Sequence, residues 1–283
     1  MSDLIKRKVA VLGLGIIGSR ACSRLAVAGW NVHAWNRTFK GLANEVATPQ
    51  DAVCGAEIVS IYLKDSPAVR GVFESIKSVL LPEQILLNHA TLDFETTQWL
   101  AQQCEKMDVR FLDAPFTGSK LASENGQLVY YIGGDAVLAA EVDEFLSATS
   151  KARLFCGAVG SATIIKLATN LISACTVQAM AEALAIATHH GVSGECLALA
   201  VSQNASSSTL AGMKFTHMLE GVYEPHFSLS NMHKDSRYML ALAESAQLVT
   251  PAIKAVSERM ADLCAHGMGD YDYAVLAKPY LET

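Results

Sequence analysis

A glycine-rich turn near the start of the chain constrains the fold more than any other feature. The apolar run KVAVLGLG leads into Gly13, Gly15 and Gly18, which have the spacing GxGxxG, and the helix-like segment GSRACSRLAVAG follows. The first glycine permits a tight turn, the second leaves room for a pyrophosphate against the backbone, and the third lets the helix pack close to the strand. Free N–H groups at the helix start then favour an anion. The turn therefore predicts a βαβ unit that binds a dinucleotide.

The first half of the chain alternates short apolar runs with amphipathic segments. After the first run, strands are predicted at NVHAWN, AEIVSIYL, QILLNHAT, VRFLDAP and QLVYYIGG. Strands that alternate with helices predict a parallel sheet covered by helices on both faces. We therefore predict an α/β fold class, with a Rossmann-type, doubly wound domain over residues 1–160.

The pattern becomes helical from about residue 160. The segment from Ser161 to Gly191 contains no proline, and its only glycine is the last residue, so it predicts one long helix over about residues 161–190. Further helices are predicted at GECLALAVSQ, HKDSRYMLALAESA and TPAIKAVSERMADLCAHG. Residues 161–283 are therefore predicted to form an all-α C-terminal domain.

Composition argues against several classes of partner. Charged residues make up 18% of the 283 residues and the net charge is −6, which argues against a basic nucleic-acid surface. No apolar run reaches the roughly 18 residues typical of a membrane span. The histidines lack a metal-binding spacing such as HExxH. We therefore expect no nucleic acid, no membrane and no metal among the partners.

The cysteines and the N-terminal residues bear on localisation. The seven cysteines are dispersed without a CxxC pair, which favours reduced thiols in the cytoplasm. Basic residues precede the first apolar run, as in a signal peptide, but Arg20 and Arg24 follow closely and the three spaced glycines lie within the run. We therefore expect a cytoplasmic protein.

The residues after the second predicted strand favour NADP(H) over NAD. An NAD site usually has an acidic residue there, about 20 positions after the glycines, to bind the ribose 2′-hydroxyl. This chain has Asn36, Arg37 and Thr38 instead. Asparagine does not repel a 2′-phosphate, and the guanidinium of Arg37 can pair with one. The alternative is a surface turn with a solvated arginine.

Lys166 is the only charged residue between Arg153 and Glu182. Helical spacing places it on one face with Thr163, Asn170 and Ser173. A narrow polar stripe on an otherwise apolar helix suits the wall of a wet cleft. The alternative is a lysine that packs its stem and extends its ammonium group into solvent.

The segment DAPFTGSK, residues 113–120, leaves a predicted strand and enters a turn with Pro115 and Gly118. Successive backbone N–H groups in such a turn can hold an anion, and the Thr117 hydroxyl adds a donor. A proline–glycine turn that binds no ligand is the alternative.

These motifs occur in a series that resembles the β-hydroxyacid dehydrogenase family from about residue 8 to the end. The series is GLGIIGSRACSRLAVAG, WNRT, NHATLDFET, DAPFTGSKLASENGQL, GSATIIKLATN and FSLSNMHKDSRYMLALA. The continuation Gly118-Ser119-Lys120 is most similar to the glyoxylate/succinic semialdehyde reductase branch. Thr117 stands where the family usually has serine, and the segment after Thr38 is shorter than usual, which affects any contact from Lys40.

The resemblance implies roles for individual residues. Lys166 corresponds to the catalytic acid/base, and Asn170, one turn later, would orient it or the substrate. The implied substrate-binding residues are Thr91, Thr117, Gly118, Ser119, Phe227 and Asp235. The implied cofactor-binding residues are Gly13, Leu14, Gly15, Ile16, Ile17, Gly18, Asn36, Arg37, Thr38, Leu63, Thr91 and Lys234.

The expected activity is NADPH-dependent reduction of a small carboxylate-bearing aldehyde or 2-oxo acid to the hydroxyacid. The alternatives are a 3-hydroxyisobutyrate or serine-type dehydrogenase, an imine reductase, and a non-catalytic NADP-binding scaffold protein. We expect the active site in a cleft between the domains, since ligands prefer such positions. The apolar flanks of the long helix predict a homodimer or homotetramer through the C-terminal domain.

Overall fold

A computed structural model describes residues 7–281, which form two compact units that divide between Lys166 and Leu167. Residues 1–6, which begin the signal-peptide-like start considered above, lie outside the described residues. The domain boundary was predicted at residue 160, where the long helix begins. The unit boundary lies slightly later because residues 161–166 of that helix belong to the first unit.

The first unit contains one mixed sheet with strand order β2-β1-β3-β4-β5-β7-β6, and β8 pairs with β7. The strands are β1 (Lys8–Leu12), β2 (Asn31–Trp35), β3 (Ile58–Ile61), β4 (Ile85–Asn88), β5 (Arg110–Asp113), β6 (Phe116–Thr117), β7 (Leu128–Gly134) and β8 (Ser150–Gly157). Strands β1 to β5 are all parallel, so their carboxyl ends lie along one edge of the sheet.

Helices follow most of these strands. They are α1 (Ile16–Val27), α2 (Pro49–Val53), α3 (Ser66–Ile76), α4 (Phe94–Glu105), α5 (Lys120–Glu124), α6 (Ala136–Glu141) and α7 (Asp143–Ser147). Several begin at a side-chain cap: Asp65 accepts a hydrogen bond from the Ala68 N–H at the start of α3, and Asp93 accepts from Thr96 N–H in α4. These caps explain why the helices begin where they do.

Both faces of the sheet are buried, as a doubly wound domain requires. Side chains alternate along a strand, so Val9 and Val11 of β1 point into one core while Ala10 and Leu12 point into the other. The first core also contains Leu25 of α1. The prediction of a Rossmann-type sheet covered on both faces is therefore confirmed.

The predicted parallel sheet is confirmed for β1 to β5, but β7 departs from it. This strand runs antiparallel to β5 and β6. The chain between β5 and β7 forms only β6 and the short α5, whereas a parallel pair needs a long crossover connection across the sheet.

β8 was not predicted, because Lys151 and the exposed Leu154 and Phe155 do not alternate as a half-buried strand does.

The second unit is helical, apart from an isolated bridge between Ser228 and Asp272. Its elements are α8 (Ser161–His189), which begins in the first unit, α9 (Gly194–Ser202), α10 (Thr209–Glu220), α11 (Leu229–Ser245), α12 (Pro251–Leu263), a π-helical turn (Cys264–Met268), a 3₁₀ turn (Tyr273–Ala277) and α13 (Lys278–Leu281). The predicted stop of α8 is confirmed, since Gly191 has a φ of 80°. α10 was missed because Gly212 interrupts its helical pattern.

The core of the second unit explains the length of α8. Leu167, Ala174, Val177, Ala181 and Leu184 recur at helical spacing and are all fully buried in one cluster. Burying this stripe requires the surrounding helices α10, α11 and α12 and the 3₁₀ turn, which together contribute most of the rest of that core. One face of α8 therefore forms the centre of the unit.

Among the described residues, α8 is also the one helix long and apolar enough to cross a membrane, with a mean hydropathy of 1.5. Only 33% of its most apolar window is buried within the chain. A helix that packs in a protein core satisfies the same length and hydropathy criteria, and α8 supplies such a core here. The expectation of no membrane partner stays a prediction.

Candidate functional site

The three glycines between β1 and α1 have the separate roles that the motif predicts. Gly13 has a φ of 103°, and a Cβ atom there would lie 2.4 Å from the Tyr62 carbonyl oxygen. A Cβ on Gly18 would lie 2.0 Å from the Gly13 carbonyl oxygen, so helix and turn pack too closely for any side chain. Gly15 instead faces open space, with no atom within 4 Å of an added Cβ.

The start of α1 fits the pyrophosphate of a dinucleotide. Gly15 is its N-cap and provides no side-chain hydrogen bond, and the first turn holds no acidic residue. The first N–H groups of a helix have no partner within it and carry partial positive charge. No atom lies within 4 Å of where a Gly15 Cβ would be, so the turn leaves room for the predicted group and the residues present fit it. Leu14, Ile16 and Ile17 complete this turn; Ile16 is exposed.

The end of β2 is fastened to the glycine turn. The Leu14 N–H donates to Asn36 Oδ1 at 3.0 Å, and Asn36 Nδ2 donates to the Thr38 carbonyl at 2.7 Å. The Asn36 side chain therefore joins two backbone segments of the predicted cofactor site. Arg37 and Thr38 are exposed beside it.

The predicted substrate turn follows β5. Thr117 ends β6 and is half-buried, and Gly118 has a φ of 142° with Leu128 packed 2.8 Å from where its Cβ would lie. The Ser119 hydroxyl accepts a hydrogen bond from the Ala122 N–H and caps α5. Ser119 thus has a structural role in addition to the one predicted for it.

Four predicted segments follow the carboxyl ends of adjacent strands. The glycine turn follows β1, Leu63 lies just after β3, Thr91 just after β4, and the turn with Thr117 after β5. Leu63 and Thr91 are both half-buried. In open α/β sheets ligands bind at this edge, outside the carboxyl ends of the strands. The predicted residues of the first unit are therefore brought to the edge where the fold binds ligands.

The first turn of α8 is anchored by a residue that the sequence did not single out for a role. Asp113, fully buried at the end of β5, accepts hydrogen bonds from Thr163 N–H and Thr163 Oγ1, each at 2.8 Å. Thr97 Oγ1 lies 3.0 Å from Thr163 Oγ1. Burial raises the pKa of Asp113 to about 6, although the hydrogen bonds from Thr163 oppose that rise. Thr163 is therefore an anchor for the helix rather than part of a wet wall.

Lys166 lies one turn further along α8 and is buried, with 8% of its surface exposed. The alternative of a side chain extended into bulk solvent does not fit this burial. Ser173, the last residue of the predicted stripe, is half-buried and donates to the Thr169 carbonyl. The stripe thus contains a helix anchor, a buried lysine and, at Asn170, a buried amide.

In the second unit, three predicted residues form one polar cluster. Asn170 Nδ2 donates to Asp235 Oδ2 at 2.7 Å, and Lys234 Nζ forms an ion pair with Asp235 Oδ1 at 2.8 Å. Asp235 is 1% exposed. A buried carboxylate needs such partners. The cluster fixes the Asn170 amide, which fits an orienting role.

Phe227, the remaining predicted residue, lies in the segment before α11 and is half-buried. Its N–H donates to Asp272 Oδ2 at 3.1 Å, and its ring meets that of Tyr273 edge to face. Asp272 also pairs with the buried Lys214 at 2.7 Å. Neither Lys214 nor Asp272 was predicted, since their pairing joins residues far apart in sequence.

Among residues 7–281, no group of three or more histidine, cysteine or acidic side chains is arranged to hold a metal ion.

Comparison with known proteins identifies the family. Residues 8–160 match the family model for the NAD binding domain of 6-phosphogluconate dehydrogenase. Residues 160–280 match the model for the NAD-binding domain of NADP-dependent 3-hydroxyisobutyrate dehydrogenase. The two models meet at residue 160, where the domain boundary was predicted.

Individual relatives have different described functions. The chain is 28% identical to glyoxylate/succinic semialdehyde reductase 2, chloroplastic, of Arabidopsis thaliana, over 95% of this chain and 78% of that protein. It is also 29% identical to the cytokine-like nuclear factor N-PAC of Mus musculus. That match extends over 97% of this chain but only 51% of the N-PAC protein.

A solved structure of Mycobacterium tuberculosis 3-hydroxyisobutyrate dehydrogenase with L-serine has the same fold. The TM-score is 0.90 at 20% identity, over 98% of this chain and 99% of that one. Two family models that together span nearly the whole chain lead to one conclusion. The chain belongs to the β-hydroxyacid dehydrogenase family of CH–OH oxidoreductases, and is of the 3-hydroxyisobutyrate dehydrogenase-like type.

Proposed function

We propose that the protein is an NADP(H)-dependent reductase that converts a small carboxylate-bearing aldehyde or 2-oxo acid, of the glyoxylate or succinic semialdehyde type, to the hydroxyacid. One observation carries the proposal. Lys166 is buried on α8, one turn before an asparagine that Asp235 fixes by a hydrogen bond. A buried ammonium group beside an oriented amide suits protonation of a developing alkoxide.

The bound reduced nicotinamide would supply the hydride to the carbonyl carbon of the substrate. Negative charge then grows on the carbonyl oxygen, and the Lys166 ammonium group hydrogen-bonds this oxygen, stabilises the charge and donates a proton to it. Asn170 orients Lys166 or the substrate, with its amide fixed by Asp235. The N–H groups at the start of α1 bind the pyrophosphate.

The preference for NADP(H) rests on Arg37. Its guanidinium is exposed after β2, next to Asn36, where a carboxylate would repel a 2′-phosphate. Arg37→Ala should raise the dissociation constant for NADPH about tenfold or more and leave that for NADH nearly unchanged, because only NADPH carries the paired phosphate.

Fluorescence titration with both coenzymes measures this preference, and Lys151→Ala, an exposed cation on β8, is the matched control. Equal weakening for NADPH and NADH in Arg37→Ala, or tighter wild-type binding of NADH, would contradict the NADP(H) assignment.

The substrate assignment rests on the turn from Thr117 to Ser119 and on the similarity to the Arabidopsis reductase. Its test follows NADPH oxidation with glyoxylate and succinic semialdehyde, and NADP⁺ reduction with 3-hydroxyisobutyrate and L-serine. Turnover of the first pair supports the proposal. Turnover of the second pair alone assigns the chain to the 3-hydroxyacid dehydrogenase alternative.

Two other functions remain as outcomes of the same assay. Reduction of a cyclic imine without reduction of either aldehyde substrate identifies an imine reductase. NADPH binding without turnover of any substrate favours the scaffold alternative, which the similarity to N-PAC motivates. The buried Lys166 favours reduction of an aldehyde or 2-oxo acid over both alternatives.

We also propose a homodimer or homotetramer formed through the helical unit. Ile172 and Ile186 of α8 are 63% and 64% exposed, on a helix of which the other face forms the core. Light scattering coupled to size-exclusion chromatography tests this, and a monomer at micromolar concentration would contradict it.

We further propose a cytoplasmic location. Seven free cysteines, with none in a disulfide, support it.

A further inference from the structure

A chain of buried polar side chains lies inside the first unit, between the glycine turn and the substrate turn. His89, Ser60, Tyr62, Tyr130 and Thr149 belong to it, and each is at most 9% exposed. The Tyr62 and Tyr130 hydroxyl oxygens lie 2.7 Å apart, and the Tyr130 hydroxyl lies 2.9 Å from Thr149 Oγ1. A polar chain of this size inside an apolar core is costly unless it is fully hydrogen-bonded, and it then fixes one arrangement of its members.

Within this series of polar side chains, His89 connects three strands: it follows β4 and contacts Ser60 of β3 and Ala114 after β5. Its Nδ1 lies 2.7 Å from the Ala114 carbonyl oxygen and its Nε2 lies 2.8 Å from Ser60 Oγ. A carbonyl oxygen only accepts hydrogen bonds, so Nδ1 carries the proton and Nε2 accepts from the Ser60 hydroxyl. The neutral tautomer is thereby defined. Burial lowers the pKa of His89 to about 4, so the ring stays neutral at ordinary pH.

Each contact of His89 leads to a part of the proposed site. Ala114 begins the turn that continues through Thr117 to Ser119. Thr91 follows His89 by two residues on the same segment. On the other side, the His89 ring stacks on Tyr62 with centroids 4.4 Å apart, and the Tyr62 carbonyl and Cβ lie against Gly13 and Gly18.

We propose that His89 is a positioning residue that sets the substrate turn, residues 114–119, in register with the glycine turn. The proposal rests on the function proposed above, in which these turns hold the substrate carboxylate and the cofactor. The Nδ1–H to Ala114 bond is its central element, because it is the link between the histidine and the substrate turn. His89 donates no proton in the reaction; it determines where the turn lies.

Two amide substitutions, each of which reproduces one ring nitrogen of the histidine, separate the two bonds of His89. The side-chain amide of asparagine can place an N–H where Nδ1 lies, and so keeps the bond to Ala114 while losing Ser60. Glutamine reaches towards Ser60 instead and loses the bond to Ala114. His89→Asn and His89→Gln are thus a matched pair of buried polar variants. Ser60→Ala is a third variant, which removes the hydrogen bonds of Ser60 to His89 and Tyr62 and leaves the bond from His89 to Ala114 in place.

The first measurement is amide hydrogen exchange followed by mass spectrometry on the full chain, and it needs no turnover. His89→Gln should speed exchange in residues 114–120 about fivefold, because one buried hydrogen bond to the turn is lost. His89→Asn and Ser60→Ala should stay close to wild type there. Exchange in β1 should be unchanged in all three. Equal exchange in residues 114–120 for the glutamine and asparagine variants would overturn the proposal.

The second measurement separates positioning from general destabilisation. With the best carboxylate substrate of the wild type, His89→Gln should raise KM about fivefold, with kcat and the NADPH dissociation constant nearly unchanged. His89→Asn should keep a KM close to that of the wild type. If kcat and NADPH affinity instead fall in parallel with the melting temperature across the variants, His89 only stabilises the core and the proposal is contradicted. If the wild type reduces no substrate, the proposed function fails, and the exchange experiment still decides whether His89 sets the turn.

Discussion

The glycine turn of the first unit depends on backbone groups, whereas the buried charges of the second unit depend on side chains. At Gly13, Gly15 and Gly18 the backbone provides the chemistry. Glycine is needed because a side chain would prevent close packing at Gly13 and Gly18 and would occupy the open space at Gly15. In the second unit the chemistry lies in side chains, and two of the buried contacts join distant positions. Asn170 and Asp235 are 65 residues apart, and Lys214 and Asp272 are 58 residues apart. Local spacing therefore determines the first region, and tertiary packing determines the second.

This difference predicts different responses to substitution. A site made of backbone tolerates change wherever an added side chain finds open space. A buried ion pair tolerates no single change, because removing one partner leaves the other charge buried and uncompensated. The three predictions that follow test this contrast, in order of decreasing effect.

The largest effect is expected at Lys214, which is 2% exposed and pairs with the fully buried Asp272. Burial lowers the pKa of Lys214, while Asp272 opposes that shift. Lys214→Ala should lower the free energy of unfolding by about 3–5 kcal/mol, since Asp272 would be left without its ammonium partner. Urea unfolding measures this.

Lys254→Ala is the matched control for Lys214→Ala, because Lys254 is exposed on α12 of the same unit. Its cost should stay below about 0.5 kcal/mol. If both variants are equally stable, the buried pair does not hold the second unit together and the contrast between the two regions fails.

An intermediate effect is expected within the glycine turn itself. Gly18→Ala should lower the free energy of unfolding by about 1–3 kcal/mol, because its Cβ would lie 2.0 Å from the Gly13 carbonyl oxygen and backbone must move. Gly15→Ala meets no atom and Gly15 has a φ of −69°, which alanine adopts freely, so its stability should match the wild type.

The two glycine variants should behave in the opposite order towards the cofactor at a temperature where both are folded. Gly15→Ala should weaken NADPH binding about tenfold or more, because its methyl group occupies the space predicted for the pyrophosphate. Thermal unfolding and NADPH titration of each variant provide the comparison. Normal NADPH affinity in Gly15→Ala would show that the pyrophosphate does not bind at this turn.

The smallest effect concerns Asp113, the carboxylate that anchors α8 in the first unit. Its pKa is raised to about 6 from 3.8, so the folded protein retains the proton between these values while the unfolded chain releases it. This contribution to stability is present at low pH and falls as the pH rises towards 6 and slightly above. Between pH 5 and pH 7.5 it should fall by about 1 kcal/mol.

Asp113→Asn isolates that contribution, because the amide keeps an acceptor for Thr163 and does not titrate. The difference in unfolding free energy between wild type and variant, measured by urea at pH 5 and at pH 7.5, should shift by about 1 kcal/mol in favour of the variant at the higher pH. A difference that does not change with pH would mean that Asp113 titrates normally.

Much of the fold could be predicted from the sequence because its signals are local. The strands β1 to β5 and β7, the long helix and its stop at Gly191 all follow from short-range pattern and turn chemistry. β8 and the antiparallel β7 could not be predicted in the same way. Whether two strands pair parallel or antiparallel depends on the path between them, and the short α5 in that path left no signal.

The candidate site divides in the same manner. The glycine turn, Arg37 and Lys166 could be identified from motif and spacing. Asp113, His89, Lys214 and Asp272 could not, since each is defined by a partner far away in sequence. His89 in particular lacked any metal-binding or catalytic spacing, and its bonds to Ser60 and Ala114 emerge only when β3, β4 and β5 align.

The central claim is that Lys166 donates the proton in the reaction, and Lys166→Ala tests it most directly. With the best substrate of the wild type at saturating NADPH, kcat should fall by about 100-fold to 10,000-fold, as for loss of a general acid. The dissociation constant for NADPH should stay within about twofold of the wild type, because Lys166 is not predicted to hold the cofactor. A Lys166→Ala variant that is folded, binds NADPH and keeps the wild-type kcat would contradict the account.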